Sequence, residues 1–155
     1  MRFAADCMLG KLAKWLRLMG QDTIYLTRPD IKKIRNALDE GRIFLTRNTR
    51  LYDFIVRRLC TENNIYFVQS NHPEEQLREV AAKFSLALTR SFKLCCVCNF
   101  PIKKVTSEIV RDMVPEYIYH THKTFYFCSK CGRVYWSGSH AKKIGETLAK
   151  LLPVE

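Results

Sequence analysis

Four cysteines fall as two CxxC pairs, Cys95 with Cys98 and Cys128 with Cys131, inside the segments LCCVCNFP and FCSKCGRVYW. Two such pairs present four thiolates to one tetrahedral ion, with 29 residues between the pairs to let the knuckles meet. Four sulfurs close the shell of zinc, so the expected ion is structural rather than catalytic. Cys96 lies between two ligands and is the spare thiol. A second constellation stands in the first half of the chain. Asp6, Asp30 and Asn48 each lie just after a short apolar run, and Asp53 lies about one helical turn beyond Asn48. Carboxylates gathered in this way suit a hard octahedral cation, magnesium or manganese, which activates water and stabilises a scissile phosphate. The same residues also serve plain structural needs. Asp30 before Ile31 is a good N-cap, Asp6 can cap a first helix, and Asp53 can be a solvated helix acid.

Cations stand beside these acids. Lys11, Lys14 and Arg17 recur at i, i+3 and i+6 and predict a basic ridge, while Arg28, Arg47 and Arg50 neighbour the carboxylates, where guanidinium forks hold phosphates. The formal charge is +11, from 26 Lys and Arg against 15 Asp and Glu, which suits a polyanionic partner such as RNA or DNA. A membrane surface ranks behind nucleic acid, because neither terminus shows a strongly amphipathic basic helix with exposed aromatics. Trp15 and Tyr25 read as core residues rather than stacking platforms, and His120 and His122 read as surface residues. Seven cysteines without a secretory signal or a long apolar span predict metal or free thiols and a soluble, cytoplasmic setting.

The elements that must position these residues are legible in outline. Arg2 to Ala5, Thr23 to Leu26, Arg42 to Thr46 and Ile65 to Gln69 are short runs rich in Ile, Phe, Val and Tyr, each expected as a strand. Between them, Leu9, Leu12, Leu16 and Met19 recur at helical spacing before Gly20, as do Ile31, Ile34 and Leu38 before Gly41. Both glycines have the place of a C′ stop. A third helix is expected over about Leu51 to Cys60, and a fourth after Pro73 with Leu77, Val80, Ala81 and Phe84 inward. Strand, helix, strand in repetition implies a mainly parallel sheet flanked by helices, whose ligands gather at the carboxyl ends of the strands. Composition shifts near residue 91. Beyond it, TSEIVRDMVPEYI predicts a short helix capped by Thr106 or Ser107, YHTHKTFYF and RVYW predict strands, and a last helix follows Ser139 with Ile144, Leu148 and Leu151 inward and His140 in its first turn.

FAADCMLGKLAKWLRLMGQDTIYL, then IFLTRNTRL, then CVCN with CSKCGRVYWSGSH, together resemble the Mut-seven carboxy-terminal ribonuclease domain family, over nearly the whole chain. The resemblance implies a PIN-like α/β nuclease domain at 1–91, fused to a zinc ribbon with a C-terminal helix at 92–155. It also implies a metal-dependent ribonuclease whose acids sit where Asp6 and Asp30 sit. The family's LTRD stands here as LTRN, so Asn48 takes the place of a metal-binding Asp; its amide oxygen still coordinates but brings no charge. Asp53 can compensate across one helical turn. The leading expectation is therefore a divalent-metal-dependent endoribonuclease with Asp6, Asp30, Asn48 and Asp53 at its centre and a structural zinc ribbon. The alternative is an RNA-binding module without cleavage, or an adaptor that docks a protein or the ribosome through the ribbon.

Overall fold

All four apolar runs of the first half form strands, because their alternating Phe, Ile, Val and Leu side chains can be buried on both faces of a parallel sheet. The computed structural model describes residues 1–59, 62–87, 91–138 and 146. Strands β1 (Arg2–Ala5), β2 (Asp22–Tyr25), β3 (Ile43–Thr46) and β4 (Ile65–Phe67) make one four-stranded sheet in the order β2-β1-β3-β4. Every neighbouring pair is parallel. The second strand starts one residue earlier than the Thr23 expected, and the fourth stops at Phe67, although the Val68 amide still bonds the Thr46 carbonyl at 2.8 Å.

Four helices alternate with the strands: α1 (Gly10–Leu18), α2 (Ile31–Asp39), α3 (Thr49–Leu59) and α4 (Pro73–Lys83). The register places Ala4 beside Ile24 and Phe44, and Phe44 beside Ile65, so these four side chains share one face. Helices α2 and α3 cover that face with Ile34, Ala37, Leu38 and Ile55. The opposite face carries Phe3, Thr23 and Tyr66. There Arg17 of α1 reaches the Thr23 carbonyl, and Phe84, the C-cap of α4, packs edge-on against Phe3 and Tyr66. Helices on both faces of a parallel sheet are the layer arrangement that such crossovers dictate.

Gly20 at φ +77° and Gly41 at φ +73° end α1 and α2. After each, the next amide turns back to the helix: Gln21 to the Leu16 carbonyl at 2.9 Å, and Arg42 to that of Ala37 at 3.0 Å. This is the Schellman closure, and it needs the left-handed residue that glycine supplies most cheaply. Ile34 and Leu38 are buried as expected, whereas Ile31 is 36% exposed because the opening turn of α2 lies at the rim of the layer. Phe44 has no exposed surface and anchors the α2–α3 side of the sheet. Phe44→Ala is expected to cost about 3–5 kcal/mol, through lost burial and the cavity left behind. Urea unfolding of the pair checks this, and a cost below about 1 kcal/mol would show that the site collapses freely. At the amino ends of the strands, buried Arg42 is held by Asp22 and Glu40, each at 2.8 Å.

By contacts the chain divides into two compact units, Met1–Arg17 with Gln21–Ala87, and Leu18–Gly20 with Leu88–Glu155. The second holds a three-stranded antiparallel sheet of β5 (Lys103–Val105), β6 (Phe125–Phe127) and β7 (Val134–Trp136), in that order. Strand β5 was not expected from sequence. The segment TSEIVRDMVPEYI forms two short helices rather than one, α5 (Ser107–Val110) and α6 (Glu116–Thr121). Thr106 is the N-cap of α5 by backbone conformation, without a side-chain cap bond; its side chain bonds the Glu108 carboxylate instead. The end of α6 takes Tyr119, His120 and Thr121 out of the expected strand, which begins at Phe125. The expected last helix with Ser139, His140, Ile144, Leu148 and Leu151 falls outside the described residues, as does Cys60.

Candidate functional site

In the order β2-β1-β3 the chain leaves β1 toward one side and β3 toward the other, so the crevice between their carboxyl ends is a topological switch point. Asp6 stands there, the first residue after β1 and only 1% exposed. A carboxylate so deeply placed requires donors, and it has three. Oδ1 accepts from the Met8 amide at 2.8 Å, while Oδ2 accepts from the Thr46 hydroxyl and from the Arg47 amide at 3.2 Å. Among the described residues Oδ2 thus takes two donors and Oδ1 one, against about two acceptor sites per oxygen.

The Thr46 hydroxyl has a second task, accepting from the Asn48 amide at 3.0 Å. Asn48 itself is exposed and caps α3, its Oδ1 taking the Leu51 amide at 3.0 Å. Asp30 is the exposed N-cap of α2, bonded to the Lys33 amide at 2.8 Å and paired with Lys33 Nζ at 3.2 Å. That amide bond is the main reason its carboxyl lies below the ordinary range. Asp53 is exposed on α3. Among the described residues, no three of the side chains Asp, Glu, His and Cys bring their ligating atoms within 4.8 Å of one another except the four cysteines. Asp6 is thus the fixed carboxylate of the rim, with Asp30 and Asn48 as exposed residues capping their helices and Asp53 exposed in the second turn of α3. All of these donors are oxygen, the kind that magnesium and manganese take. Thr46 was not singled out from sequence, although its hydroxyl stands one strand away from Asp6.

Lys11, Lys14, Arg28 and Arg50 are exposed. Arg17 departs from the expected ridge: it is 7% exposed, and its Nε donates to the Thr23 carbonyl at 2.7 Å. Being four residues after buried Ala13 and three after exposed Lys14, Arg17 lies on the border of the apolar stripe and turns its side chain inward. Arg47 is half-buried. Its guanidinium donates to Asn71 Oδ1, and its Nε is buried without a hydrogen-bond partner. Asn71 belongs to a loop braced from α4, where Glu79 accepts from the Tyr66 hydroxyl, the Gln69 and Ser70 amides and the Ser70 hydroxyl at 2.8–3.0 Å. Burial pushes the Glu79 carboxyl up, but those donors together outweigh it and leave it below its ordinary value. Buried Gln76 adds bonds to the Ser70 and Asn71 carbonyls. None of these braces could be read from the sequence, since each joins a loop to a helix face set by tertiary packing.

In the second unit the four thiols converge. Cys95 Sγ lies 3.6 Å from Cys131 Sγ, and Cys98 Sγ lies 3.5 Å from Cys128 Sγ. Disulfides need about 2.05 Å. Four bonds of 2.3 Å to one tetrahedral zinc would put sulfurs about 3.8 Å apart, so the cluster fits a metal ion and not a pair of disulfides. Each knuckle owes its turn to the residue after its second cysteine, Asn99 at φ +61° and Gly132 at φ +73°. Asparagine and glycine are the residues that adopt this conformation most readily. Amides then close both loops, Asn99 to the Cys95 carbonyl at 2.9 Å and Gly132 to that of Cys128 at 2.8 Å. The Tyr135 hydroxyl lies 2.9 Å from Cys95 Sγ and 3.6 Å from the spare thiol of Cys96. Burial pushes the Cys95 thiol up, yet the Tyr135 hydroxyl and neighbouring backbone amides bring it down to about 6. Burial and the neighbouring thiols push Cys98 and Cys131 the other way, so of these three thiols Cys95 is the one that gives up its proton most readily. Tyr135 too was missed, because it lies four residues beyond its knuckle and reaches back to the other one.

Among the described residues no helix is long and apolar enough to cross a membrane. Neither the curated proteins nor the solved structures compared with the chain gave a match. Residues 1–148, which include both the Asp6 rim and the four-cysteine cluster, match the Mut7-C RNAse domain, and the chain belongs to that family.

Proposed function

We propose that this chain is a divalent-metal-dependent endoribonuclease whose centre is the switch-point rim. The observation that carries the reading is Asp6, a buried carboxylate at the carboxyl end of β1, held by the Met8 and Arg47 amides and the Thr46 hydroxyl. Asn48 Oδ1, Asp30 and Asp53 stand as the further oxygen donors. Magnesium or manganese bound among them would supply an activated water and charge stabilisation at the scissile phosphate. Thr46 holds Asp6 in place, and Arg47, next to Thr46 in sequence and bonded through its amide to the same carboxylate, is a cation for a phosphate. Lys11, Lys14, Arg28 and Arg50 draw in the backbone. The four cysteines hold one structural zinc, and a reducing, cytoplasmic setting keeps their thiols available. Labelled single-stranded and hairpin RNAs, incubated with manganese or with chelator, test this. Cleavage with manganese is expected, and cleavage by an Asp6→Asn chain would place the centre elsewhere.

A second reading is favoured by Asn48, which brings no charge where a carboxylate would: the rim binds RNA without cutting it. Retention of RNA with no cleavage at any manganese concentration would select it. Partner docking through the second unit, to a protein or the ribosome, draws its support from Ile109, Met113 and Tyr117, which are 54%, 53% and 73% exposed. Both RNA readings share a salt signature. Lys14→Ala with Arg50→Ala is expected to shallow the slope of log affinity against log salt by about 1.4, at roughly 0.7 per single-strand phosphate contact. Binding isotherms between 50 and 200 mM salt check this, and an unchanged slope assigns both residues to solvent.

A further inference from the structure

A cleft of about 560 Å³ opens beside the rim, lined by Lys11 and Trp15 of α1 and by His72, Pro73, Glu74 and Glu75 at the start of α4. Its size falls in the usual range for small-ligand pockets. We propose that this cleft is a nucleobase subsite that takes a guanine of single-stranded RNA. The inference rests on the reading of RNA as the ligand, and it adds which base the rim prefers.

Three observations point to a base. First, Trp15 is only half-buried, although Leu12, Ala13 and Leu16 around it on α1 are at most 1% exposed. An indole left open at a cleft wall is the sequence-tolerant platform on which unpaired bases stack. Second, the charges are mixed in a way that suits a base and disfavours a phosphate. Glu74 and Glu75 are exposed in the first turn of α4 and repel a backbone phosphate from the floor. A carboxylate there accepts two parallel N–H bonds, and guanine is the base whose Watson–Crick edge offers them, from N1 and N2. Lys11, one helical turn before Trp15, remains as the cation for the sugar-phosphate. Third, the cleft is built on a held loop. His72 follows Asn71, the acceptor for Arg47, whose own amide bonds Asp6. Glu79 and Gln76 brace the preceding residues. A base seated against Trp15 would therefore be tied, through Asn71 and Arg47, to the position of Asp6.

Glu74 and Glu75 also complement the α4 dipole, a role that makes no distinction between bases. Fluorescence anisotropy with the pentaribonucleotides UUGUU and UUUUU separates the two. The natural chain is expected to hold UUGUU at least ten-fold more tightly. Trp15→Leu should weaken UUGUU on the order of ten-fold, the scale of one lost stacking contact. The surface pair Glu74→Gln with Glu75→Gln leaves the indole in place and should erase the difference between the oligonucleotides. Equal binding of both by the natural chain, or a preference for UUGUU that survives in the Glu74→Gln, Glu75→Gln pair, would overturn the guanine subsite while RNA binding stands. Failure to hold either at low salt would overturn the RNA reading together with it.

Discussion

Asn48→Asp will raise the rate of RNA cleavage roughly ten-fold at low manganese, with the gain shrinking as the metal approaches saturation. A ten-fold gain needs only about 1.4 kcal/mol, whereas unit charges 4 Å apart interact by about 4 kcal/mol at an effective dielectric near 20. The substitution changes charge and little else. Asn48 caps α3 by accepting the Leu51 amide at 3.0 Å, and aspartate caps a helix equally well. Its own amide stays bonded to the Thr46 hydroxyl. Asp6→Asn in the same background should abolish the activity, since it removes the buried carboxylate and leaves an amide N–H2 where the rim offers donors. Cleavage rates across a manganese titration decide the matter. An unaltered metal dependence in Asn48→Asp would make residue 48 a cap and nothing more.

Cys128→Ser will empty the zinc site and unfold the second unit. Cys128 is fully buried with Cys95 in a core to which Phe92, Tyr126 and Tyr135 are packed, so an ion held by these thiols would be bound up with the packing of that core. Structural zinc contributes an apparent 10–16 kcal/mol at neutral pH, of the order of what a small domain needs to fold. Elemental analysis should give one zinc per natural chain and none for the variant. The stacked pair Phe92 and Tyr126, with ring centroids 4.4 Å apart, should lose its ordered aromatic signals, while the helices of the first unit persist in the far-ultraviolet spectrum. Folded protein with four freely reactive thiols and no metal would overturn this.

What the sequence conveys about this molecule is what local spacing can encode. The stripe Leu9, Leu12, Leu16, the stops at Gly20 and Gly41, and the run Ile43 to Thr46 each carry their own structure, because period and turn chemistry act over a few residues. The two CxxC pairs are legible for the same reason. Thr46 is not, for its bond to Asp6 joins residues 40 apart and depends on the register of two strands. Arg17 misleads, since a long side chain at the border of an apolar stripe can turn either way, and only the Thr23 carbonyl on the neighbouring strand fixes it. Trp15 stands between these cases. Its place on α1 is periodic, but its half-open wall exists only because α4 begins beside it.

The position of β1 has a consequence for how the molecule is made. This strand is the first of the seven described and sits in the interior of its sheet, with β2 on one side and β3 on the other. During synthesis it waits first for Asp22–Tyr25 and then for Ile43–Thr46, and the second wait is the longer, because its partners lie some forty positions away in the register Phe3 to Ile43. Closing such distant pairings delays folding, and until they close a nascent apolar strand stays open to misassociation. The bond from Thr46 to Asp6 can form only when β3 has docked. The Asp6 rim should therefore be completed late, and a nascent chain halted before β3 should hold Asp6 without the Thr46 hydroxyl.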